Sequence, residues 1–351
     1  MVVTVRGSEA ATLHIVREAR RLGKFIVYYL DDDLLNLPKD SASYAYFSEH
    51  HLDKNIREIL SLCDVLWGVN TRIKEKYLPL CHTDRWVQNR VPMEAACALR
   101  ADTSEYPVKI LYAGSTDHEK MVREILSPAV RQICAERGDK VHFTFVGPDP
   151  GIKDCPQVSY HRFFADYRAY HAFVEQQNFS IGLAVVRTDD FYQCKYYNKF
   201  VEYSGIGIAG VYTDCDLYRQ VVVNGKNGLL CENTTQGWAT AIGRLIDDPL
   251  LRQSCVAEAQ ELLRREFQYS DICDGLVSQM PELTDFRAPQ VSLWQVRLRP
   301  IWIEFYFEKI KWLLQGYGPF AIPVIACKAV KVMFKQIRKA VCDAFRVYQR
   351  N

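Results

Sequence analysis

The stretch from Ile181 to Val211 leaves this chain little conformational freedom. Ile181–Val186 is a short apolar run of the kind that forms a buried parallel strand. A polar, aromatic loop follows. Asn198 then offers a helix cap, and Lys199–Ser204 supplies about one and a half turns before Gly205, which suits a left-handed stop. A second apolar run, Ile206–Val211, comes at once. Strand, loop, short helix and strand in that order predict a βαβ unit, in which ligands sit beyond the carboxyl ends of the strands. That end carries Lys195, Lys199 and Glu202.

These three residues suit a nucleoside diphosphate. A helix N-terminus presents free N–H groups and the positive end of a dipole, and two lysines beside it add compensating charge. One turn further on, Glu202 can accept from two vicinal hydroxyls, as an acidic residue does for ribose in dinucleotide-binding folds. The alternative reading is a solvated helix decorated with Lys and Glu.

The ordered set Lys199-Phe-Val-Glu202-Tyr-Ser-Gly205-Ile-Gly207, an apolar strand, Tyr218, Asn224-Gly225-Lys226-Asn227-Gly228 and a helix from Gln236 resembles the nucleotide-sugar domain of retaining GT-B glycosyltransferases. The resemblance covers roughly 108–265. It implies that Glu202 holds the donor ribose, that anomeric configuration is retained, and that no metal or other cofactor is obligatory. That family usually carries a second Glu eight residues earlier, where it contacts the transferred sugar; here the position is Cys194, with Lys195 the nearest polar side chain.

With 351 residues, 48% of them hydrophobic, the chain suits two domains. Twelve scattered cysteines without CxxC or His at metal-ligand spacing, and no apolar segment at the start, predict a reducing, cytoplasmic setting.

The order of elements extends the α/β pattern. Val2–Val5, Phe25–Leu30 and Val65–Val69 are predicted strands; Glu9–Leu22, Leu52–Leu62 and Thr71–Tyr77 are predicted helices. Patterns fade from Leu80 to Pro107. A second domain then opens with strand Lys109–Ala113 and the turn Gly114-Ser115, whose amides suit close approach to a phosphate. His118 follows in the next helical turn. Helix Glu124–Glu136, strands Val141–Val146 and Gln157–Tyr160, strand Leu229–Cys231, a capping box from Asn233 to Gln236 and helices Gly237–Ile246 and Leu250–Glu266 complete it. Near 163 the family often has an apolar-Gly pair before a helix, where this chain has Phe163-Phe164.

Asp31-Asp32-Asp33 at a predicted strand end could bind Mg²⁺, but capping or acceptor contact at the cleft fits a two-domain parallel fold better.

From Phe286 the chain changes character. Residues 287–351 hold 12 Lys and Arg against 3 Asp and Glu, a net of +9, which leaves 32 against 39, a net of −7, for the remainder. Lys328, Lys331, Lys335 and Arg338 follow one helical stripe and Ile325, Val332, Met333 and Ile337 lie mainly opposite, a pattern for lying on an anionic membrane surface; packing onto the first domain is the alternative. No nucleic-acid motif accompanies the charge.

The expected fold is therefore α/β, GT-B, with two Rossmann-like domains facing a cleft: a short acceptor-side domain over 1–100, a nucleotide-sugar domain over 101–285, and a basic, aromatic helical tail over 286–351. The expected catalytic residues are Lys195, Lys199 and His118, and the expected donor-binding residues Gly114, Ser115, Asn198, Glu202 and Tyr218. The expected partners are a nucleotide-sugar donor, a glycan or lipid-linked acceptor and the anionic inner face of the cell membrane, with no nucleic acid. A non-catalytic glycosyltransferase-like scaffold and a GT-B nucleotide-sugar epimerase are the rival functions.

Overall fold

A computed structural model describes residues 1–93 and 106–285; the basic tail expected over 286–351 lies outside the described residues. Two parallel sheets are present, as the alternation of elements predicts. The first has the order β1-β2-β3-β4, from β1 (Val2–Val5), β2 (Ile26–Leu30), β3 (Val65–Gly68) and β4 (Trp86–Gln88). Between its strands run α1 (Ala10–Arg21), α2 (Ala42–Glu49), α3 (Leu52–Leu62) and α4 (Thr71–Tyr77). The periodic face of α3 explains its place: Leu52, Ile56, Ile59 and Leu60 are buried, the last three packed with Leu13, Val16, Tyr28 and Ile73. Strand β4 falls where the sequence pattern fades, because three residues are too few to show a period.

The second sheet has the order β10-β9-β8-β5-β6-β7. Its strands are β5 (Val108–Ala113), β6 (Val141–Val146), β7 (Val158–His161), β8 (Ile181–Ala184), β9 (Ala209–Thr213) and β10 (Leu229–Cys231). Counted along the chain this is the order 3-2-1-4-5-6, which reverses direction between β5 and β8 and opens a crevice there. The register of β5 against β8, Ile110 opposite Ile181 and Tyr112 opposite Leu183, brings the loops after Ala113 and Ala184 side by side.

Helices cover both faces of this sheet. They are α5 (Glu119–Met121), α6 (Ser127–Arg137), α7 (Tyr167–Gln177), α8 (Asp190–Gln193), α9 (Asn198–Ile206), α10 (Asp216–Arg219), α11 (Thr235–Asp247) and α12 (Pro249–Glu266). One core packs Trp238, Ile242 and Leu245 against Ile110 and Phe143; the other packs Phe200, Tyr203 and Leu263 against Leu111 and Ala184. A fully buried side chain of this size stabilises by about 1.5–3 kcal/mol.

Three predicted helix ends move. The left-handed stop is Gly207 (φ +88°), not Gly205, which lies inside α9. The cap of α9 is Tyr197, with Asn198 as the first helical residue. The cap of α11 is Thr234, whose hydroxyl accepts from Gly237 N–H at 3.0 Å, because Asn233 is engaged by Thr213, Trp238 and the Val186 carbonyl.

A final helix, α13 (Tyr269–Gln279), returns to the first sheet. Met280 just beyond it is fully buried with Val27, Val65 and Val87, and Arg85 forms a two-pronged ion pair with Glu282. By packing, therefore, the segment 269–283 goes with the first domain, although the boundary read from sequence assigns it to the second.

Candidate functional site

All eight residues singled out in the sequence line one cavity of about 500 Å³ at the switch point between β5 and β8. This volume suits a small-molecule or cofactor site. Helix α9 begins at the cavity, and no side chain caps that end; Asn198 N–H and Phe200 N–H donate to the carbonyls of Tyr196 at 2.8 Å and Tyr197 at 3.0 Å, which leaves the Lys199 N–H of the first turn to another acceptor. Lys199 and Glu202 stand one turn apart and pair at 2.8 Å. The other oxygen of Glu202 accepts from the Tyr170 hydroxyl at 2.5 Å. Burial, reinforced by Glu202, raises the Tyr170 phenol far above its ordinary range and keeps it a donor. Tyr218 is buried in the cavity wall, its ring tilted 42° to that of Tyr212 at 4.8 Å; Asn198 is exposed.

On the opposite side, the chain leaves β5 through Gly114. A side chain at Gly147 (φ +97°) would meet the Gly114 carbonyl at 2.0 Å, so the two loops can lie together only with glycine at 147. The Gly114 amide donates to the Val146 carbonyl at 3.1 Å and is not free for a phosphate, which corrects half of the Gly-Ser expectation. Ser115 caps the turn that carries His118, its hydroxyl accepting from Asp117 N–H.

The imidazole of His118 is held down to about 4, first by burial and then by the charges of Lys195, Lys199 and Arg187, with Asp117 opposing. Its Nδ1 lies 3.2 Å from the Tyr112 hydroxyl. Burial raises the Tyr112 phenol far above its ordinary range, so Tyr112 keeps its proton. Among the described residues His118 is its only hydrogen-bond partner, and the neutral ring carries one proton, on either of its two nitrogens. His118 is thus an uncharged donor at neutral pH.

Lys195 lines the cavity but is shared with the first domain. Its ammonium lies 3.2 Å from both oxygens of Asp32 and 4.5 Å above the Phe191 ring. Cys194, where the resembled family has its sugar-contacting Glu, is fully buried in the first-domain core beside Leu30 and Ile73. Its thiol stands 3.8 Å from Asp33 Oδ2, and burial together with Asp33 pushes it up to about 12. The three aspartates weighed as a cation site serve different partners: Asp31 pairs with Arg6, Asp32 with Lys195, and Asp33 with Lys76 at 2.7 Å and Tyr77 at 2.7 Å.

Sequence reasoning missed Tyr112, Tyr170 and an aromatic wall in which Phe163 and Tyr167 are each 61% exposed. The signal for part of it was available: Asp166 caps α7 by accepting from Arg168 N–H, and Tyr170 lies one turn into that helix. Among the described residues no cluster of His, Cys, Asp and Glu is arranged for a metal ion, and no helix is long and apolar enough to cross a membrane.

Two parallel sheets, with the cavity beyond the carboxyl ends of the second, are the arrangement of the GT-B fold. Residues 107–248 match the sequence family described as Glycosyl transferases group 1. Solved structures agree in fold. Sucrose-phosphate synthase from Thermosynechococcus elongatus superposes with a TM-score of 0.52 at 15% identity, over 74% of this chain and 68% of that one. HepE from Anabaena, in complex with UDP-glucose, gives 0.56 at 15% identity, over 80% and 78%. A glycosyltransferase from Rickettsia africae ESF-5 gives 0.56 at 12% identity, over 81% and 77%. No curated protein sequence matches the chain.

Proposed function

We propose that this protein is a retaining glycosyltransferase that moves a sugar from a nucleoside-diphosphate donor to a glycan or lipid-linked acceptor at the cytoplasmic face of a membrane, in polysaccharide synthesis. The carrying observation is the convergence of Lys195, Lys199, Glu202, His118 and an uncapped helix N-terminus on one cavity. HepE binds UDP and UDP-glucose, and its fold likeness makes a uridine donor the first to try. Glu202 accepts the ribose hydroxyls, with Tyr170 fixing its orientation from behind. Lys195, Lys199, the first turn of α9 and the Ser115 amide take up charge as the diphosphate leaves, since fixed donors aimed at developing charge are commonly the largest catalytic contribution. Neutral His118 donates without repelling the two lysines. The leaving phosphate itself accepts the acceptor's proton.

The test is a thermal-shift screen of UDP, GDP and ADP and their sugars, followed by product analysis for anomeric configuration. A donor at 100 times its Kd stabilises by about 2.7 kcal/mol, or roughly 5–10 °C for a domain of this size. Absence of a shift with every nucleotide overturns the donor site.

The rival is a non-catalytic scaffold, and one observation favours it: Cys194 faces the first-domain core instead of the cavity, so no carboxylate stands where the family contacts the transferred sugar. Tight nucleotide-sugar binding with neither transfer nor donor hydrolysis would decide for the scaffold.

A further inference from the structure

The first domain, more than the second, holds the loop that presents Lys195. Asn70 is 1% exposed, and its Oδ1 caps α4 by accepting from Ile73 N–H at 3.0 Å. Its Nδ2 crosses the domain interface to the carbonyls of Lys195 at 2.8 Å and Gln193 at 3.4 Å. Cys194, between those two residues, is seated in the first-domain core. With its backbone fixed in this way, the Lys195 ammonium stands between the donor cavity and Asp32.

The same arrangement recurs one loop earlier, where Arg187, just past β8, is held by Asp40 at 3.0 Å. At these two points a first-domain carboxylate neutralises a second-domain cation, whereas Arg72 pairs the other way with Asp216. Lys199 differs, because its partner Glu202 is on its own helix and moves with it.

We propose that Asp32 is a donor-affinity residue: a counter-ion that gives up Lys195 when a nucleoside diphosphate arrives, so that donor binding loosens one contact between the domains. The inference rests on the donor-site reading above. The physical case is a competition. Lys195 is 29% exposed and Asp32 14%, and ion pairs that water reaches hold weakly. A diphosphate at the α9 N-terminus brings more charge than one carboxylate and also meets the Lys199 N–H, which has no acceptor among the described residues. An ammonium on a flexible stem can change partner by rotation alone. Phe191, under the ammonium at 4.5 Å, supports it in either position.

The test is a double-mutant cycle on the full chain, with UDP, GDP and ADP titrated calorimetrically into wild type, Asp32→Asn, Lys195→Met and the double variant. Asp32→Asn should bind the preferred diphosphate about three- to tenfold more tightly, and in steady state should lower KM while leaving kcat little changed. In the Lys195→Met background the same change should give less than about a twofold gain. Asp32→Ser repeats the measurement if the Asn variant folds poorly. Unchanged or weaker binding on Asp32→Asn overturns the proposal, and so does an equal gain with and without Lys195, which would mark a general field effect. Wild type binding none of the three diphosphates is instead the failure of the donor site itself, and this inference falls with it.

Discussion

Acidification from pH 7 to 4 should cost this protein stability through His118. An imidazole in the unfolded chain titrates near 6.5, whereas burial and three neighbouring cations hold His118 down to about 4. Between those values the unfolded chain carries a proton that the native protein refuses. Stability therefore rises with pH across this window: the full contribution is present above about pH 6.5, is lost progressively as the pH falls towards 4, and does not fall further below that. At about 1.4 kcal/mol per pH unit, the window is worth about 3 kcal/mol. Urea melts of wild type and His118→Gln at pH 7, 5.5 and 4 isolate it, because subtraction cancels His142, which burial also holds low. The advantage of wild type over the variant should shrink by up to about 3 kcal/mol from pH 7 to 4. Histidine NMR should show His118 still neutral at pH 5.5, and an added nucleoside diphosphate should move its titration upwards, since the anion offsets Lys195 and Lys199. A His118 signal that titrates near 6.5 without nucleotide would refute both the buried site and the neutral-donor role.

Glu202→Gln keeps an acceptor for Tyr170 but removes the charge, and should weaken nucleotide binding by about 1.5–3 kcal/mol with little change in melting temperature; unchanged affinity in calorimetry excludes Glu202 as the ribose anchor. Cys194→Glu sets a carboxylate near buried Asp33, where like charges 4 Å apart repel by about 4 kcal/mol at moderate screening, so the melting temperature should fall sharply and recover in part with Asp33→Asn; equal melting of wild type and Cys194→Glu would show that residue 194 is not held in the first-domain core. Changing Lys328, Lys331, Lys335 and Arg338 together to Gln should release the protein from anionic vesicles, each charge contributing about 1 kcal/mol near the surface. Identical sedimentation of the two proteins with those vesicles would count against the membrane reading.

Elements with a clear apolar period were legible from sequence. Helices Leu52–Leu62 and Thr71–Tyr77 and strands Val141–Val146 and Leu229–Cys231 stand where the pattern puts them, because burial of one face fixes both register and length. Caps were read less well. Asn198 and Tyr197, or Asn233 and Thr234, are adjacent candidates, and the choice is made by distant partners; Asn233 is removed from capping by Thr213 on β9. That Lys195, Asn198, Lys199 and Glu202 would share one cavity was legible because one short segment carries them together. Their partners were not: Asp32 and Lys195 are 163 residues apart, and nothing local marks either as one of a pair.

Cys194, at the position where the resembled family usually carries Glu, looks from sequence alone like a gap in a sugar-contacting site. The packing supplies a different physical reason. Asp33 is fully buried, with Lys76, Tyr77 and Asn36 bonded to its carboxylate and the Cys194 thiol against the same oxygen that meets Lys76. One lysine can offset one buried carboxylate; a second carboxylate there would be an unpaired buried charge, which costs several kcal/mol. A small neutral side chain at 194 is therefore the electrostatic complement of an aspartate at 33, and the two positions, 161 residues apart, act as one. The consequence reaches the next residue. With Cys194 drawn into the first domain and Asn70 holding the carbonyls on both sides of it, Lys195 emerges between the domains, close enough to Asp32 to pair with it and still on the wall of the cavity at the β5–β8 switch point.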